Sequence, residues 1–280
     1  YCTNQIMKEI NVVVGPRLGD LLHSLVLPKY AYEKMNLISN IYIAEINDVF
    51  STSLQQTYEE LKPIVESQKF CNSFQILDQE KFPNWQKTFI NTQNFRKSPW
   101  LYKTTWSQLI LNSCLQSQPQ VPNEYTVLEL PKIEKYKNAL FINRRDGSHD
   151  RSQFTTQVYK DIISQFDEKY FLCFNQKQYD DFFLKKLVEP LLIPELHEYM
   201  VAINSCKLFL GNQSGPFSMA SVLNVSRIGE LFHKTLFRDD LHYLNDGKLH
   251  NNVELFNMEN ILTDKNIYLR HKEYYSQINV

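Results

Sequence analysis

Two apolar runs in this chain break at a glycine-bearing polar turn and resume with helical spacing. Near the N-terminus, Ile10 to Val14 is followed by Gly15-Pro16-Arg17-Leu18-Gly19-Asp20 and then by Leu21-Leu22-His23-Ser24-Leu25. In the second half, Cys206 to Leu210 is followed by Gly211-Asn212-Gln213-Ser214-Gly215-Pro216 and then by Phe217-Ser218-Met219-Ala220. Each reads as strand, tight turn and helix. In α/β proteins that unit places ligands at the carboxyl ends of parallel strands. One such turn in each half predicts two nucleotide-fold domains facing a cleft.

The rest of the pattern fits the same plan. Residues 7–15 form the first predicted strand and 20–35 a helix, with Leu21, Leu22, Leu25 and Val26 on one face and Pro28 set to kink or shorten it. Strands are predicted over 38–44 and 74–77, with a helix over 50–67 between them. Residues 81–99 read as loop with short helical turns, and 100–115 as a helix. The polar, proline-bearing stretch 116–122 is the linker. It divides a first domain, residues 1–120, from a second, residues 121–280. There the spacing predicts strands over 139–143, 170–175, 207–210 and 225–231. Helices are predicted over 153–166, 178–187, 195–205 and 217–223, with a last one over 267–276. Strands alternating with helices at this pitch predict parallel sheets.

At 280 residues the chain has room for two domains, and its hydrophobic fraction of 43% supplies two ordinary cores. A net charge of -1 gives no basic surface for nucleic acid. No apolar stretch reaches the ~18 residues of a membrane-spanning helix. The segment Tyr1–Glu9 is too polar, and the run after it too short, for a signal peptide. The five cysteines, at 2, 71, 114, 173 and 206, include no CxxC pair and no zinc spacing. Cys173 and Cys206 sit in apolar runs and read as buried thiols, so a reducing, cytoplasmic setting is expected.

Three places carry candidate chemistry. Asp20 opens a helix after a glycine. It reads as an N-cap and also as a general base at a strand end, and both roles are open to it. The turn Asn212, Gln213, Ser214, Gly215, Pro216 offers backbone N–H groups and a helix dipole to a phosphate, or is an ordinary turn capped by Ser214. Asn143, Arg144 and Arg145 end a predicted strand, where two guanidinium groups can clamp phosphate or pair with nearby Asp146 or Asp150. Asn175 and Gln176 end another. His23, His149, His197 and His233 show no metal-ligand spacing, so no metal site is expected. GxGxxG, GxxxxGK[ST] and GxSxG are absent, which disfavours dinucleotide-fingerprint, P-loop and hydrolase-elbow chemistry.

Taken together, these segments resemble glycosyltransferase family 9, the heptosyltransferase-like enzymes of the GT-B fold. Gly19-Asp20-Leu21-Leu22-His23-Ser24-Leu25 is similar to the segment that opens those proteins. Leu208–Ala220 is similar to their hydrophobic-Gly-Asn-Asp-Ser-Gly-Pro segment. Gln213 stands where the family has an acidic residue, and Ser218 where it has histidine. The resemblance implies an α/β, GT-B architecture of two Rossmann-like domains. It also implies inverting, metal-independent transfer from a nucleotide-diphosphate sugar to a saccharide or glycan acceptor. Asp20 would be the base. The segment Ser214, Gly215 and Pro216 would meet the donor diphosphate, and Asn143, Arg144 and Arg145 would help neutralise the leaving group. Gly19, Asn212 and Gln213 are read as further donor-binding residues, and Asn175 and Gln176, from their place at a strand end, as candidates for the nucleoside. No cofactor is implied beyond the nucleotide sugar as co-substrate. A non-catalytic nucleotide or saccharide binder and a GT-B-type sugar-nucleotide epimerase fit the same scaffold, and product analysis separates the three.

Overall fold

A computed structural model describes residues 7–15, 17–45, 53–99, 106–115, 117, 119, 125–144, 153–212, 214–231 and 253–257. The chain divides into two units, residues 1–129 and 130–280.

The first unit begins with β1 (Lys8–Val14), whose three consecutive valines are fully buried. It continues through α1 (Leu18–Ser24), α2 (Val26–Met35), β2 (Leu37–Ile43), α3 (Leu54–Glu66) and β3 (Cys71–Ile76). Then follow α4 (Trp85–Thr88), β4 (Ile90–Asn91), a 3-10 helical turn (Thr92–Lys97) and α5 (Trp106–Cys114). The sheet order is β3-β2-β1-β4, parallel throughout. Val13 pairs in register with Tyr42, and this face packs with Ala44, Leu77 and Trp85. Val12 and Val14 point to the other face, as the period of two requires.

The predicted helix 20–35 is two helices, and Pro28 accounts for the break. Proline has no N–H to give the Ser24 carbonyl, and its ring crowds that same carbonyl. The chain therefore tightens at Leu25, whose N–H reaches Leu22 instead, and restarts at Val26. Asn36, at φ 54°, ends α2 in the left-handed conformation that asparagine tolerates. Residues 125–129 belong to this unit through specific bonds. Gln68 accepts from the Glu129 N–H at 2.9 Å and donates to its carbonyl at 3.1 Å, while buried Lys29 pairs with the Glu129 carboxylate at 2.8 Å.

The second unit runs β5 (Leu140–Asn143), α6 (Gln153–Ile163), β6 (Lys169–Cys173), α7 (Gln176–Asp180) and β7 (Glu189–Leu192). It continues with α8 (Leu196–Ser205), β8 (Leu208–Asn212), α9 (Gly215–Val222), β9 (Arg227–Leu231) and β10 (Val253–Asn257). All pairings are parallel, in the order β10-β9-β8-β5-β6-β7. Counted from β5 this is the 3-2-1-4-5-6 arrangement of the Rossmann sheet, which reverses direction between β5 and β8. Its core joins Leu140, Ile142, Phe171, Leu208 and Leu210 from the strands to Val158, Tyr159 and Ile162 of α6.

Three strands went unread in the sequence. β4 has two residues, too few for any periodicity. β7 contains Pro190, which an edge strand tolerates because its outward N–H is not needed. It follows a region predicted as one helix over 178–187, which is instead α7 and a 3-10 turn at Lys185–Leu187. β10 forms the opposite edge. The predicted helix 267–276 and most of the linker 116–122 lie outside the described residues.

Candidate functional site

Each sheet has one place where the strand order reverses. Gly19 and Asp20 lie at the first, and Asn143, Arg144, Asn212, Ser214, Gly215 and Pro216 at the second. In the first unit the reversal lies between β1 and β4. Asp20 is the third residue of α1, in its first turn. It is not the N-cap, a position held by Arg17 without a side-chain cap. Its Oδ2 pairs with Nη2 of Arg96 from the 3-10 turn after β4. That turn is fixed from below. Thr92 Oγ1 donates to the Val13 carbonyl at 3.0 Å, and Asn91 Oδ1 accepts from the Gln93 N–H at 2.9 Å. The Arg96 guanidinium lies 5.1 Å from the centre of the Phe95 ring. Phe95 meets Trp106 edge-on at 5.3 Å, and His23 stacks on Trp106 at 5.2 Å. His23, buried one turn after Asp20, is thus part of an aromatic stack under α1.

Arg96 was missed by sequence reasoning. It lies 76 residues from Asp20, and only the two-residue pairing of β4 with β1 brings it near. A neighbouring guanidinium favours a carboxylate in its ionised form.

In the second unit the reversal lies between β5 and β8, which pair from Leu140–Leu208 to Asn143–Gly211. Asn143 and Asn212 therefore end adjacent strands, and both are buried. Asn143 Nδ2 donates to the Leu172 carbonyl at 2.8 Å and to the Tyr199 hydroxyl at 3.1 Å. The Tyr199 hydroxyl also donates to Leu172 at 3.2 Å, and its ring stacks on Phe174 at 4.0 Å. Burial pushes the Tyr199 phenol well above its ordinary value, so it stays a neutral donor. This triangle ties the carboxyl ends of β5 and β6 to α8.

Arg144, next along, is buried with its guanidinium 5.1 Å from the Phe183 ring centre. Stacking on an aromatic face is a placement that arginine suits and lysine does not. Arg145 and Gln213 lie outside the described residues. Gly211 passes so close to β5 that an added Cβ would stand 2.6 Å from the Asn143 carbonyl oxygen. Ser214 occupies the N-cap of α9, yet its hydroxyl donates to the Asn212 carbonyl at 3.0 Å and does not cap. Gly215 and Pro216 open the helix. The first-turn amides of α9 thus lack a side-chain cap from Ser214.

Asn175 and Gln176 sit beyond β6, away from the β5–β8 reversal in strand order. Asn175 caps α7 by accepting from the Gln178 N–H at 3.1 Å, and Gln176 bonds Asp180 at 3.2 Å. Among the described residues, no group of three His, Cys, Asp or Glu side chains is placed to hold a metal ion.

No family model matches the chain, and no curated protein sequence matches it. Solved structures do. The E. coli heptosyltransferase WaaC with ADP superposes at TM-score 0.60 and 11% identity, covering 97% of this chain and 100% of that one. A family 9 glycosyl transferase from Veillonella parvula gives 0.58 at 12% identity, covering 93% and 89%. The E. coli ADP-heptose lps heptosyltransferase II gives 0.50 at 11%, covering 98% of each. With two parallel Rossmann-like sheets and these likenesses over nearly its whole length, the chain has the heptosyltransferase-like GT-B fold.

Proposed function

We propose that the protein is an inverting, metal-independent glycosyltransferase that moves a sugar from a nucleotide-diphosphate sugar to a saccharide or glycan acceptor. One observation carries the reading. The 3-2-1-4-5-6 sheet of the second unit sets the ends of β5 and β8 side by side at the strand reversal, with the start of α9 directly after. A parallel sheet binds its ligand at that point, and an eight-residue helix beginning there presents amides and a positive dipole end to a diphosphate.

The chemistry follows from charge. Asp20 takes the proton of the acceptor hydroxyl as its oxygen attacks the anomeric carbon. The bond from that carbon to the diphosphate breaks, and its electron pair leaves on the diphosphate. The backbone N–H of Gly215, with the Arg144 and Arg145 charges, stabilises that leaving group without a metal ion; Pro216, next in the helix, has no N–H to give. Asn143, held by Leu172 and Tyr199, fixes the strand end and serves this work through its backbone. Asn175 and Gln176 remain nearest the nucleoside in this reading.

The test is thermal unfolding with ADP, GDP, UDP, dTDP and, as control, CMP, each with and without EDTA. A diphosphate at 100 times its Kd stabilises the folded state by about 2.7 kcal/mol. The expected outcome is one diphosphate that raises Tm equally with and without EDTA. ADP is the first candidate, because the heptosyltransferase of similar fold was solved with it. No shift with any of them overturns the reading.

A further inference from the structure

Phe174 is a partly exposed ring that the fold holds in place without burying it. It follows Cys173, the last residue of β6, at the carboxyl end of the sheet. One face of the ring lies on Tyr199, with centres 4.0 Å apart and planes 7° from parallel. Among the described residues Tyr199 is the one ring it meets. Tyr199 is itself fixed, fully buried with its hydroxyl tied to Asn143 and Leu172. The backbone is held too, since the Phe174 N–H donates to Gln178 Oε1 at 2.8 Å. A ring backed on one side and partly open to solvent is a stacking surface, and little side-chain freedom remains to be lost when a flat partner settles on it.

Its place in the sheet names that partner. Phe209, in register with Phe141, meets Phe217 of α9 at 6.3 Å. Phe141 and Asn143 are two apart in β5 and share a face. Asn143 Nδ2 reaches the Tyr199 hydroxyl, so α8 and α9 cover the same face, and Phe174 stands at its carboxyl rim. The order β8-β5-β6 sets the end of β6 two strand spacings, roughly 10 Å, from the end of β8, where α9 begins. A ribose bridges that distance between a diphosphate at α9 and a base at Phe174.

We propose that Phe174 is the base-stacking platform of the donor site: the open face of its ring takes the nucleobase of a nucleoside diphosphate whose phosphates meet the start of α9. The assignment rests on the transferase reading above and adds the surface that holds the base. Stacking tolerates any base, so Phe174 supplies affinity and not the choice among bases.

The experiment titrates the full chain calorimetrically with ADP, GDP, UDP and dTDP, as wild type, Phe174→Leu and Phe174→Trp. Phe174→Leu is expected to weaken the diphosphate that binds wild type by about 5- to 100-fold, the effect of losing one base–aromatic stack. Phe174→Trp, which keeps a flat ring, should bind within about threefold of wild type. Its added indole emission should be quenched by the same diphosphate, a change absent from wild type. Affinity unchanged in Phe174→Leu, or a Phe174→Trp variant that neither binds like wild type nor shows quenching, overturns the assignment and leaves the transferase reading standing. A wild-type chain that binds none of the four overturns both. Should Phe174→Leu fail to fold, the affinity and emission of Phe174→Trp decide.

Discussion

Asp20 and Gly211 are single residues whose surroundings set firm expectations. Asp20→Asn keeps the shape of the side chain but cannot accept the proton. Loss of a general base typically costs 10²- to 10⁴-fold in rate. Turnover is expected to fall by at least about a hundredfold, with diphosphate binding by thermal shift unchanged. Turnover above roughly a tenth of wild type would remove Asp20 from that role. At Gly211 the constraint is steric. A methyl group 2.6 Å from the Asn143 carbonyl must push β8 from β5, and both are backbone. Overpacking of this kind costs about 1–3 kcal/mol, so Gly211→Ala should lower Tm by several degrees in a calorimetric scan. Both residues were legible in the sequence because the signal is local: a glycine and a polar turn joining strand to helix. Arg96 was not, since what marks it is contact with a helix residue 76 positions earlier.

Among the elements, long helices and fully apolar strands announced themselves, and short strands did not. Pro28 announced a disturbance in the first helix, and the chain breaks three residues before it, as the carbonyl it crowds demands. β4 and β7 exist because a neighbouring strand offers its edge, not because their own residues favour extension. The attachment of residues 125–129 is likewise invisible in sequence, yet it has a pH signature. Lys29, by hydrogen bond and then by charge, holds the Glu129 carboxyl below its ordinary value. A group depressed by folding contributes stability above its unfolded pKa and loses it as pH falls through the folded one. Wild type should therefore exceed Glu129→Gln in Tm near neutral pH, and the gap should close in acid, below the usual carboxylate range of about 4. A gap that persists unchanged into acid would show that charge is not what the contact supplies. The effect will be modest, because the carboxylate is mostly exposed.

For the whole molecule the informative fact is that two parallel sheets of different completeness share one chain. The first has four strands and the second six among the described residues, and each has its own reversal. The chemistry at the two reversals differs. The first offers a carboxylate and a guanidinium paired with it. The second offers a glycine approach, a helix start that the Ser214 side chain does not cap, and Arg144, the set that the proposed reading gives to a diphosphate. This division of labour predicts where a nucleoside diphosphate slows amide exchange in the full chain. Protection should appear at the carboxyl ends of β5 and β8 and in the first turn of α9, with little change in β1 and, beyond Gly19, in α1. In the proposed reading Asp20 takes no part in holding the diphosphate, so Asp20→Asn should give the same pattern. Hydrogen exchange read by mass spectrometry resolves these segments directly. Protection centred on β1 and α1 would reverse the assignment of donor and acceptor to the two sheets. It would also place the diphosphate beside an aspartate, where like charges repel.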